Sequence, residues 1–207
     1  MYILAENLPG ALISGQNYCW DESIGYVMGG NMKPDTDCSG FIWQCLHDNG
    51  FNVGSYRFDT TTMDSVLTSA GFTRYLYDSS FVPQNGDIFM YDEGGGAYGH
   101  TFFYAENVRG YVNGYLGWAN CDDTIGLCAR AKIEASGTHN HPETGDQDNG
   151  LGAHTEVWVH TYDSLVYGNH TWYVYRWGGT PPTPPTPTQR RQGLPVWLID
   201  KIIRKEF

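Results

Sequence analysis

The chain has 207 residues, 41% of them hydrophobic, which suffices for one buried core and falls short of two full domains. A net charge of -11 with only 12 Lys and Arg argues against nucleic acid as a partner, because phosphate neutralisation needs clustered cations. Aromatic residues at 15% against charged residues at 17% argue against disorder and suit antiparallel sheet.

The opening MYILAENLPGAL has no basic stretch and no sustained apolar run, so no secretory signal is expected, and no run reaches membrane-spanning length. Five cysteines, at 19, 38, 45, 121 and 128, form no CxxC pair. An odd number so spaced fits neither a disulfide framework nor a zinc ribbon and leaves at least one thiol over.

Phe41, Ile42, Cys45 and Leu46 recur at helical spacing, which predicts a helix beginning at or just after Cys38 and stopped by Gly50. A second helix is predicted over 61–70, with Met63, Val66, Leu67 and Ala70 on one side and Gly71 as its cap. From Gly86 the period becomes two, with strands predicted at 87–91, 100–105, 111–119, 156–162 and 171–177. The expected class is therefore α+β, an N-terminal helical lobe packed on an antiparallel sheet. Residues 134–154, rich in Gly, Asn, Asp and His, read as a surface insertion.

The run Thr180-Pro181-Pro182-Thr183-Pro184-Pro185-Thr186-Pro187-Thr188 is a stiff linker that cannot join a packed core. One domain is thus expected over 1–179, the linker over 180–188 and a short basic amphipathic tail over 189–207. Residues through Gly179 carry 7 basic and 21 acidic side chains, the remainder 5 and 2, so the tail is electrostatically separate. Its Leu198, Ile199, Ile202 and Ile203 face away from Lys201, Arg204 and Lys205, a pattern that suits docking on an anionic membrane, a wall polymer or a virion protein, or a frayed terminus.

The sharpest chemical signal is Asp37-Cys38-Ser39-Gly40-Phe41 at the head of the first predicted helix. Unpaired amides and the positive end of the helix dipole favour a thiolate there and offer donors to an oxyanion, and Gly40 is expected to keep the approach to sulfur open. The competing reading is a buried helical cysteine, as Cys45 is expected to be. A nucleophilic cysteine needs a base, and Gly99-His100-Thr101 supplies one at the start of an apolar strand. His139, His141 and His154 with Glu143, Asp146 and Asp148 match no metal-ligand spacing, so a solvated loop and no metal are expected there.

Tyr26-Val27-Met28-Gly29-Gly30, Asp37-Cys38-Ser39-Gly40-Phe41, Gly86-Asp87-Ile88-Phe89 and Gly99-His100-Thr101 resemble, in order and approximate spacing, the sequence blocks of the NlpC-type papain-like cell-wall hydrolases. The Tyr-rich Tyr173-Val174-Tyr175-Arg176 is similar to the final strand of the bacteriophage peptidoglycan hydrolase group that includes the lysin amidase Pal. This resemblance implies a papain-like fold, Cys38 as nucleophile, His100 as base, and Asn120 in Trp118-Ala119-Asn120 as orienter of the imidazole, with Asp122 and Glu106 as alternatives. It further implies a substrate site shaped by Tyr26, Asp37, Ser39, Gly99 and Trp118, while Asp87 fixes the turn into its strand. Bacterial peptidoglycan would be the partner, no cofactor would be needed, and an amide bond of the wall would be cut, the muramoyl–L-alanine bond in preference to one inside the stem peptide. The layout fits a phage lysin or tail-associated lysin, reaching the wall by holin-dependent release or on the virion. The rival is a silent wall-binding module using its Trp and Tyr residues, which would have no need of a Cys38–His100 pair.

Overall fold

The computed structural model of the chain describes residues 10–19, 25–26, 28–30, 35–94, 99–111, 125–136, 156–160, 166 and 168–178. In chain order these form α1 (Gly10–Cys19), β1 (Gly25–Tyr26), β2 (Asp35–Thr36), α2 (Cys38–Asp48), α3 (Thr60–Ser69), β3 (Phe72–Leu76), β4 (Ile88–Asp92), β5 (Gly99–Tyr111), β6 (Ile125–Ser136), β7 (Glu156–His160) and β8 (Tyr173–Trp177). The class is α+β, as expected. The linker over 180–188 and the tail over 189–207 lie outside the described residues.

The strands make one sheet in the order β2-β1-β7-β6-β5-β4-β8-β3. Its long ladders are antiparallel, whereas β1 and β2 pair in parallel. The helices cover one face: Phe41, Ile42, Cys45 and Leu46 of α2 and Met63 and Leu67 of α3 share a core with Ile88, Met90, Phe103, Ile133 and Tyr175. Burying each large side chain stabilises the fold by about 1.5–3 kcal/mol relative to leaving it in water. The opposite face carries a second cluster, Phe89, Phe102, Tyr104, Trp172 and Val174, so Thr101 through Ala105 are buried on both sides of the sheet.

Helix α2 runs where the apolar spacing places it and ends as its glycine requires. Gly50 takes φ 79°, and the Phe51 and Gly50 amides donate to the carbonyls of Leu46 and His47. Gly71 closes α3 at φ 102°, where a side chain would also meet the Trp177 ring.

Several elements differ from the sequence expectation: the short strands β1 and β2 were not anticipated, β5 runs from Gly99 to Tyr111 and not only over 100–105, and of the strand expected over 111–119 only Tyr111, the end of β5, lies among the described residues. Helix α1 was not singled out, because Gly10, Gly15 and an even spread of polar residues give it no clear apolar stripe. Strand β3 was missed because four of its five side chains are exposed, leaving no alternation to read. Strand β6, over Ile125–Ser136, was not anticipated at all, and it places Glu134 in the sheet and not in a surface insertion. Ala131, Ile133 and Ala135 enter the core from that strand and fix its register against Phe103 and Ala105 of β5.

Candidate active site

Asp37 organises the start of α2. In an extended conformation, it caps the helix through Oδ1, which accepts from the Gly40 amide at 2.7 Å and from the Ser39 hydroxyl at 2.9 Å. Its Oδ2 accepts from the Gly29 amide at 2.8 Å and from Arg57 Nη2 at 2.6 Å. Arg57 also donates to the Gly30 carbonyl, tying the β1–β2 segment to the helix start. The amides of Cys38 and Ser39, at the first turn, have no acceptor within the helix. Cys38 itself is buried, with 6% of its surface exposed, at the positive end of the helix dipole.

His100, at the start of β5, hydrogen-bonds Glu134, and Cys38 is near enough to act on its proton affinity. Its Nε2 lies 2.6 Å from Glu134 Oε2. The two side chains of the His100–Glu134 pair are 12% and 4% exposed, so water screens them little. Burial disfavours the imidazolium, but the hydrogen bonds and charges of Cys38 and Glu134 outweigh it, and the His100 pKa is pushed up to about 10. The arrangement groups a thiol, an imidazole and a carboxylate that holds the imidazole, the residue types that nucleophilic catalysis requires.

Beside Cys38 lies a cleft of about 220 Å³ lined by Tyr26, Met28, Arg57, Asp59, Thr60 and Gly99 among others. Burial pushes the Tyr26 phenol up, with Cys38 and Asp37 adding to the effect and Arg57 opposing it. Asp59 caps α3 as Asp37 caps α2, accepting from the Thr62 amide at 2.9 Å, so both helices start at this cleft. The Thr60 hydroxyl is buried and has no hydrogen-bond partner among the described residues.

Gly99 packs on Thr60 so closely that a Cβ would stand 2.3 Å from its Oγ1. Gly99→Ala is therefore expected to displace the start of β5, lowering stability by about 1–3 kcal/mol and misplacing His100. Urea denaturation paired with the rate of Cys38 alkylation checks both effects.

Cys38, His100, Tyr26, Asp37, Ser39 and Gly99 are thus brought to one place. The polar atoms of Asp37 and Ser39 are committed to the cap and to Arg57, which makes these residues scaffold for the nucleophile as well as lining of the cleft. Gly40 is small for a different reason than expected: a Cβ there would meet Arg57 Nη1 at 2.8 Å and the Gly30 carbonyl at 3.0 Å. Asp87 closes its turn by accepting from the Gln84 amide at 2.8 Å and is held at two points by Arg176.

Asn120, Trp118 and Asp122 lie outside the described residues. The alternative Glu106 accepts from the Tyr104 hydroxyl at 2.8 Å. The described group that holds the imidazole is Glu134, which sequence reading placed in a polar insertion. The alternation Ala131, Ile133, Ala135 was the signal that could have revealed the strand and put Glu134 on its other face. Arg57 carried no such signal, since twenty residues separate it from the carboxylate it binds.

Cys45 and Cys128 are buried and neither forms a disulfide. A second cavity of about 180 Å³, lined by Leu12, Phe51, Phe72, Arg176 and Trp177 among others, contains no cysteine or histidine. Among the described residues no group of three or more His, Cys, Asp or Glu could hold a metal ion, and the 139–154 histidines and carboxylates lie outside them. Among the described residues no helix is long and apolar enough to cross a membrane. No protein-family model matches the chain, and no curated protein matches it.

Proposed function

We propose that the chain is a cysteine hydrolase of papain-like, NlpC-type architecture that cleaves an amide bond of bacterial peptidoglycan. The observation that carries this reading is the grouping of Cys38, His100 and Glu134, with His100 hydrogen-bonded to Glu134, beside an open cleft at a helix start. The wall as substrate rests on the resemblance of the four sequence blocks, as does the assignment to a phage lysin or tail-associated lysin.

In this mechanism the Cys38 thiolate attacks the amide carbonyl carbon and the oxyanion is met by the first amides of α2. His100 gives its proton to the departing amine, leaving a thioester on Cys38. Water then attacks, passing a proton to the imidazole, and the carboxylic acid product leaves as the Cys38 thiolate and the His100 imidazolium are restored. Glu134 keeps the imidazole in its tautomer and orientation throughout. No cofactor enters these steps.

The test is to incubate the protein and its Cys38→Ser variant with Gram-positive peptidoglycan and to identify new ends by mass spectrometry. Free lactyl carboxylates on muramic acid with free L-Ala amines, lost in the variant, are the expected result and define an amidase. Ends inside the stem peptide define an endopeptidase with the same chemistry. Absence of any Cys38-dependent product from walls of several types would replace the reading with a wall-binding module.

A further inference from the structure

Glu134 has a second neighbour of interest. Lys132 precedes it by two residues on β6, so both side chains leave the same face of the strand, about 7 Å apart along it. Lys132 is as inaccessible as the catalytic groups, 6% exposed, although a lysine is rarely buried without a counter-charge. Its Nζ lies 4.6 Å from the centre of the Phe102 ring, and that ring lies 6.2 Å from the imidazole of His100. Ammonium, carboxylate and imidazole are thus gathered on one buried face around Phe102. Burial lowers the proton affinity of Lys132 and the Glu134 carboxylate opposes that loss, so the two charges sense each other.

Such an arrangement answers a difficulty in the proposed chemistry. A buried carboxylate held 2.6 Å from the imidazole strengthens its grip on the proton that the leaving amine must receive. A buried ammonium on the same strand face as that carboxylate weakens the grip while leaving the aim intact.

We propose that Lys132 is a positioning residue for the Cys38–His100 reaction, its buried ammonium sharing the Glu134 carboxylate so that Glu134 orients the imidazole without over-binding its proton. This rests on the hydrolase reading only for its consequence in turnover; the electrostatic coupling belongs to the resting protein. Among the described residues the titratable and charged groups around Lys132 are Arg130 and Glu134 on its own strand, His100, Tyr104 and Glu106 on β5, and Cys38 beyond His100, while His160 is its backbone register partner on β7.

The experiment is a histidine 15N NMR titration of the full chain, with the His100 signal assigned by its loss in His100→Ala. Lys132→Met is expected to raise the His100 titration by about one pH unit, a roughly tenfold gain in proton affinity. Lys132→Arg should leave it in place, and in a Glu134→Gln background the Lys132→Met change should move it far less. On peptidoglycan fragments Lys132→Met should lower kcat about three- to tenfold with KM unchanged. Lys132→Gln is the second neutral variant should the Met variant fail to fold, as judged by its melting curve.

An unmoved or lowered titration in both neutral variants overturns the proposal, as does a shift that persists undiminished without the carboxylate. Because the titration needs no substrate, a shift as expected with no wall hydrolysis would sink the peptidoglycan reading and leave the Lys132 role standing. Cys38-dependent hydrolysis with no shift would do the reverse.

Discussion

Cys38→Ala, His100→Ala and the double variant are expected to lose wall-lytic activity to the same extent, about 10⁴-fold or more, because nucleophile and base act as one unit. Glu134→Gln should lose less, on the order of 10²-fold, since an amide still accepts a hydrogen bond from Nε2 but no longer supports the imidazolium. Purified single and double variants assayed by release of soluble wall fragments give the comparison. If the double variant lost the sum of two independent penalties, the two residues would be acting separately.

The raised pKa of His100 adds a pH signature with a definite sign. A group whose folded value stands at about 10 against an ordinary 6.5 adds stability that is complete below about pH 6.5 and gone once the pH has passed about 10. The melting temperature of the protein should therefore decline between about pH 7 and 10, and His100→Ala should flatten that decline. Hydrolysis should fall over the upper part of the same range as His100 loses the proton that it delivers to the leaving amine.

The largest loss of stability is expected from Asp37→Ala. One carboxylate there accepts from two backbone amides, a hydroxyl and a guanidinium, and its side chain is 8% exposed. Truncation removes the cap of α2 and leaves Arg57 without its counter-charge, a combined cost of about 3–5 kcal/mol. Asp37→Asn should cost less, because an amide oxygen can keep the Gly40 and Ser39 bonds, while the Nδ2 that replaces Oδ2 can no longer accept from the Gly29 amide or from Arg57. Chemical denaturation of the two variants against the parent orders them. An alanine variant as stable as the parent would show that α2 holds its start by tertiary packing alone, and Cys38 alkylation would then report whether the nucleophile kept its place.

What was legible in the sequence was what depends on local spacing. The apolar repeat of Phe41, Ile42, Cys45 and Leu46, the glycine stops at Gly50 and Gly71, and the change to period two after Gly86 each follow from neighbours within one or two turns of chain. Cys38 and His100 were legible as candidates for the same reason: a helix start and a strand start are local features with local chemistry.

The partner of the imidazole and the partner of the cap were decided by the tertiary structure. Glu134 comes within reach of His100 only because β5 and β6 pair in one particular register, across 34 residues of chain. Lys132 beside it, which no sequence signal singled out, is buried because the sheet covers both faces of its strand. Arg57 reaches Asp37 only when the approach to α3 folds back over the start of α2. Sequence alone fixed which residues could act as nucleophile and base, since those properties need a dipole and a strand end; which charges support them depends on long-range pairing of strands, and no local pattern encodes a partner that the register supplies.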